Sequence, residues 1–104
     1  MKRWFLSGAF LLLPMLAAAQ PPDPRTLQAR SLAATCANCH GTQGRAQGDM
    51  RPLAGMNADT MLAMLAGFRS GNQPATVMHQ ITKGYTEEQL RLIAHYLAAQ
   101  APAR

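Results

Sequence analysis

Few side chains in this 104-residue sequence could do chemistry, and the most reactive of them are adjacent. Cys36-Ala37-Asn38-Cys39-His40 sets two thiols three positions apart, with an imidazole directly after the second. This C-x-x-C-H pattern is the signature of c-type haem attachment. Its spacing has a geometric reason. Two cysteines three apart at the end of a helix can each reach one vinyl group, and the two thioethers fix the plane of the ring. His40 then falls beneath the iron. Other uses of the same residues lack support elsewhere in the chain. A C-x-x-C redox pair belongs to thioredoxin-like folds, which need βαβ signals, and no stretch here alternates like a strand. A structural zinc site usually takes four ligands. The pool is Cys36, Cys39, His40, His79 and His95, without paired spacing.

A six-coordinate haem needs a second axial ligand, usually Met or His. Beyond the first twenty residues the candidates are Met50, Met56, Met61, Met64 and Met78. Met61 and Met64 share a helical stripe with Phe68 and read as core packing. Reach leaves Met50 and Met56 open, because ten extended residues span roughly 33 Å. Met78 lies in a short segment bracketed by Gly71–Pro74 and Gly84 that can wrap onto the far face of a haem. Its neighbour His79 competes, while His95 reads as structural or exposed. No residue looks like a nucleophile or an acid–base pair. Glu87 and Glu88 fall in a first helical turn, where a helix-dipole role is expected.

The elements that must hold these residues read as all-α. Gln20–Pro24 is a stiff lead-in, since proline fixes the backbone. Asp23 can cap a helix with Pro24 at its first position, running from about Arg25 to Ala37. The stretch from about Gly41 to Gly55 carries Gly41, Gly44, Gly48 and Pro52, a density of breakers that predicts a loop. Asn57 or Asp59 can cap a second helix to about Ser70, with Met61, Met64, Leu65 and Phe68 at i, i+3, i+4, i+7. Gly71 is its fitting stop. A short helical piece from about Ala75 to Thr82 follows. Thr86-Glu87-Glu88-Gln89 then reads as a capping box, opening a last helix to about Ala99 with Leu90, Ile93, Ala94 and Leu97 on one face. Loops this long in so small a domain imply that something else fills the centre.

The N-terminus predicts export. Lys2 and Arg3 form a basic start, Trp4–Leu16 an apolar run, and Ala17-Ala18-Ala19 a small-residue cleavage site, placing the cut after Ala19. The apolar run is shorter than the ~20 residues of a spanning helix. The expected organisation is a leader over 1–19 and one domain over 20–104, delivered to the periplasm. The formal charge of +5 loses Lys2 and Arg3 with the leader. Two ionised haem propionates would take the remainder to about +1. The basic composition is therefore no argument for nucleic acid as a partner.

Cys36-Ala-Asn-Cys-His-Gly-Thr-Gln-Gly44 resembles the haem site of class I cytochromes c. Phe68-Arg-Ser-Gly71, Ala75-Thr-Val-Met78 and Ile81-Thr-Lys-Gly-Tyr85 further resemble the cytochrome subunit of flavocytochrome c sulfide dehydrogenase, which carries a T-[IV]-M-x-x-I-x-K-G-Y motif. The resemblance implies a small class I fold, about four helices around one covalently bound haem c. It implies thioethers at Cys36 and Cys39, His40 as proximal iron ligand and Met78 as distal ligand. Some relatives have a proline after the glycine matching Gly48, helping to place the proximal histidine's hydrogen bond. Here Asp49 stands there, followed by Met50-Arg51-Pro52, which leaves the acceptor for His40 open. The implied role is to accept single electrons from an FAD-binding flavoprotein that oxidises sulfide, the sulfur chemistry belonging to that partner. The alternatives are a free-standing cytochrome c serving a terminal oxidase or reductase, and a haem-based sensor with an open sixth position.

Overall fold

The computed structural model describes residues 17–103, and the run 1–16 that carries most of the expected leader lies outside them. Among the described residues the regular structure is entirely helical: α1 (Pro24–Ala34), α2 (Ala37–His40), a 3₁₀ turn (Thr42–Gly44), α3 (Ala58–Ser70), α4 (Met78–Lys83) and α5 (Glu87–Ala98). The all-α expectation holds, with five α-helices rather than about four.

The additional helix comes from a break in the first. The segment expected to run unbroken to Ala37 stops at Ala34, and α2 restarts as one turn at Ala37. At the break the Thr35 hydroxyl donates to Leu32 O at 3.0 Å. Threonine competes in this way with the helical ladder through its own side chain.

Capping residues set the other ends. The Asp23 carboxylate accepts from Thr26 N at 3.1 Å, with Pro24 opening α1. Asn57, not Asp59, caps α3, its Oδ1 accepting from Thr60 N at 3.0 Å. Gly71 ends α3 in the left-handed region at φ +85, where a residue without Cβ carries no steric penalty. Thr86 and Gln89 close the capping box of α5 in both directions, at 3.1 and 2.9 Å. α4 begins at Met78 rather than Ala75.

α1 packs against α5, and α3 packs against both α4 and α5. The cluster at their meeting consists of Ala33, Met61, Ile93, Ala94 and Leu97. Of eight buried apolar residues among those described, four are alanines. Alanine buries little area, and at about 25 cal/mol per Å² such a core stabilises only modestly.

The loop after the 3₁₀ turn is drawn inward by its backbone. Leu53 N and Ala54 N both donate to Gly44 O, at 2.8 and 3.0 Å, and Gly55 N donates to Leu97 O at 3.0 Å. The chain's last residues close over this loop, with Arg45 Nε donating to Ala101 O at 2.8 Å.

Candidate functional site

A cavity of about 740 Å³ opens where α2, the following loop, α3, α4 and α5 converge. Cys36, Cys39 and His40 line one wall, and Met61, Met64, Leu65 and Phe68 of α3 another. Ala75, Thr76, Val77 and Met78 run along a third. Ile93 and Leu97 of α5 form the floor shared with the core. The size falls within the roughly 300–1,000 Å³ of pockets that enclose a cofactor. The walls are almost wholly apolar, as a macrocycle requires, and the two thiols and one imidazole face the same space. The chain therefore fits a haem on its volume and on its donor set.

His40 is oriented from behind. Its Nδ1 donates to Arg51 O at 2.8 Å, which fixes the tautomer and leaves Nε2 free as a metal ligand. This supplies the acceptor that the sequence left open. Arg51 precedes Pro52, and a residue before proline is held in the extended region, so the X-Pro step was a usable signal for the turned-out carbonyl.

Cys36 is half-buried and Cys39 exposed, with no disulfide between them. Burial pushes the Cys36 thiol above its ordinary pKa, against a smaller lowering from its hydrogen bond with Thr35.

All five methionine candidates, Met50, Met56, Met61, Met64 and Met78, line the cavity. Met61 is also 3% exposed within the core cluster, in keeping with its packing role. Met78 opens α4, on a different element from the cysteines and His40. His79 is turned elsewhere: its Nε2 donates to Gln73 O at 2.6 Å, and its ring lies 6.3 Å from that of Phe68. His95 is exposed on α5. Glu88 meets Arg25 at 2.9 Å and Arg91 at 3.8 Å on an exposed surface.

One contact that the sequence did not reveal ties the two sides of the cavity together. Thr35 and Tyr85 both line it, and their hydroxyls lie 2.6 Å apart. With the Thr35 proton given to Leu32 O, the Tyr85 hydroxyl donates to Thr35. The segment after α4 is thereby fastened to the residue just before Cys36.

The family model for cytochrome c matches residues 28–101, a span that takes in every wall of this cavity. The chain belongs to the cytochrome c family. It is 35% identical over 81 residues to the cytochrome subunit of sulfide dehydrogenase of Chlorobaculum tepidum, covering 76% of this chain and 74% of that relative. It is 34% identical over 64 residues to cytochrome c-552 of Acidithiobacillus ferridurans, covering 62% of this chain and 28% of that one. The cytochrome c4 structure of Acidithiobacillus ferrooxidans superposes with a TM-score of 0.67 at 25% identity, covering 77% of this chain. This chain spans 52% of that cytochrome's length. Membership brings with it the class I fold and one covalently bound haem c, matching the single Cys36–Cys39 pair. This cytochrome is a monohaem electron carrier. No helix among the described residues is long and apolar enough to cross a membrane.

Proposed function

We propose that this cytochrome is the electron-accepting subunit of a sulfide dehydrogenase, taking electrons one at a time from an FAD-binding flavoprotein in the periplasm. The observation that carries this reading is the likeness to the sulfide dehydrogenase cytochrome subunit over about three quarters of both chains. Haem c, when bound, supplies a one-electron iron couple. The chain's residues hold and set that couple. Cys36 and Cys39 would supply the thioethers. His40 would bind iron through Nε2, with Nδ1 on Arg51 O. Met78, at the start of α4, would be the second iron ligand. A soft thioether favours the reduced iron and raises the potential relative to a second histidine. The apolar walls exclude water, which strengthens every electrostatic effect on the iron.

Export is part of the proposal, since the leader expected over 1–19 would deliver the chain to the compartment where haem c is attached. A mature mass equal to residues 20–104 plus one haem, in a periplasmic fraction, is the expected result.

The partner is tested by co-expression with the FAD-binding flavoprotein subunit of a sulfide dehydrogenase. A stable complex in which sulfide reduces the haem at one electron per iron supports the role. A cytochrome that never associates, and that sulfide plus flavoprotein leaves oxidised, overturns it. That outcome favours the second reading, a free-standing carrier, which draws on the likeness to cytochrome c-552 and to cytochrome c4.

A further inference from the structure

The segment that brings Met78 to the cavity has little local structure of its own. Pro74 to Met78 line the cavity without a break, yet Pro74, Ala75 and Thr76 make no hydrogen bond among the described residues. No side chain caps α4 at its start, where Val77 leads into Met78. From Met78 onward the chain is firm. Thr82, 1% exposed, donates its hydroxyl to Met78 O at 2.8 Å, and beyond α4 Tyr85 is fastened to Thr35. The other end is held by His79. Its Nε2 donates to Gln73 O at 2.6 Å, and Gln73 N donates to Gly67 O of α3 at 3.0 Å. Glycine weakens a helix interior, and here it admits a close approach: a Cβ on Gly67 would stand 3.0 Å from the Gln73 Cβ. The His79 ring also lies beside Phe68 of α3. Neither Gln73 nor His79 lines the cavity. They close the Pro74–Met78 segment from behind its wall.

We propose that His79 is a positioning residue for the distal ligand: its bond to Gln73 O clips the Pro74–Met78 segment to α3 and keeps the Met78 thioether on iron. The proposal rests on the reading of Met78 as distal ligand. A thioether favours ferrous over ferric iron, so the clip matters most in the oxidised protein. With it closed, the iron keeps both axial ligands in either oxidation state, and small molecules are kept from the sixth position.

The test uses the ferric holoprotein and imidazole, which reaches the sixth position only when the thioether has left. Its apparent affinity is scaled by the fraction of protein in that open form. His79→Phe keeps a ring beside Phe68 and loses the donor. His79→Gln loses the ring and offers an amide N–H in place of Nε2. Asp23→Ala, which removes the cap of α1, is the control for general loss of stability. The first measurement is the far-red charge-transfer band of Met-ligated ferric haem in the wild type and in Met78→Ala. A band absent from the wild type, or surviving in Met78→Ala, overturns the Met78 reading and the proposal with it. Given a band that depends on Met78, His79→Phe is expected to retain it and to bind imidazole about three- to tenfold more tightly, the size of one lost hydrogen bond. His79→Gln is expected to fall between wild type and His79→Phe, and Asp23→Ala to match wild type. Equal affinity in wild type and His79→Phe overturns the proposal and leaves the Met78 reading standing. So does a rise in Asp23→Ala as large as that in His79→Phe, which is loss of stability alone. A rise in His79→Gln beyond that in His79→Phe also overturns it, because the ring and not the donor then holds the segment. A measurement on the wild type needs no variant: a discrete, slowly exchanging NMR signal is expected for the His79 Nε2 proton of the ferrous holoprotein, and free exchange with solvent overturns the clip.

Discussion

Met78 and His79 are neighbours with opposite fates, and the difference can be measured. Met78 lines the cavity, while His79 donates to Gln73 O and lies beside Phe68. Met78→Ala is expected to abolish the weak far-red charge-transfer band of Met-ligated ferric haem and to lower the potential. His79→Ala is expected to retain the band. A surviving band in Met78→Ala would return the assignment to Met50, Met56 or Met64. A second residue-scale prediction concerns Gly44, which sits at φ +76. A Cβ there would come within 2.8 Å of Ala54 N and 3.1 Å of Leu97 Cδ2. The left-handed backbone costs a side chain about 1–2 kcal/mol, and overpacking adds about 1–3 kcal/mol. Gly44→Ala should therefore lose at least ~2 kcal/mol in denaturant unfolding of the holoprotein. At this scale the sequence was informative about Cys36, Cys39 and His40, whose side-chain types carry the chemistry. Arg51 showed in the sequence only through the following Pro52, because a backbone carbonyl acts as acceptor whatever side chain it bears.

At the level of elements, side-chain capping was the readable signal. Thr86 with Gln89, and Gly71, end their helices as expected, because each supplies or avoids one specific bond. Thr86→Ala removes the acceptor for Gln89 N and should cost about 1 kcal/mol. For a domain of this size that is about 4–8 °C in Tm. Two boundaries were misread, and both lie at the cavity. α1 ends early because Thr35 turns its hydroxyl to Leu32 and receives Tyr85. α4 starts late, and Ala75–Val77 instead follow the cavity wall. In both places contacts across the cavity override the helical reading. Tyr85→Phe should accordingly leave haem content intact and make the far-red band expected of Met78 ligation easier to lose on warming, since it releases the bond fastening the segment after α4 to Thr35.

For the molecule as a whole, the question is what replaces a large core. The buried apolar residues among those described are half alanine, and the centre is a cavity of about 740 Å³. Without haem, the almost wholly apolar walls of that cavity would face water, and exposed apolar area costs about 25 cal/mol per Å². The fold and the haem are thus one stability problem. The double variant Cys36→Ala/Cys39→Ala, which cannot attach haem covalently, should lose its cooperative thermal transition and most of its helical circular dichroism. Leu97→Ala tests the shared floor of core and cavity. Leu97 is 1% exposed, so about 2–5 kcal/mol should be lost, along with part of the haem content.

The clasp between Arg45 and Ala101 bears on timing. The loop next to the attachment motif is closed by α5 and the segment after it: Leu97 O receives Gly55 N, and Ala101 O receives Arg45 Nε. A chain emerging N-terminus first presents Cys36-Ala37-Asn38-Cys39-His40 long before it can present those carbonyls. During that interval the motif lies open, and the pocket behind it cannot yet form.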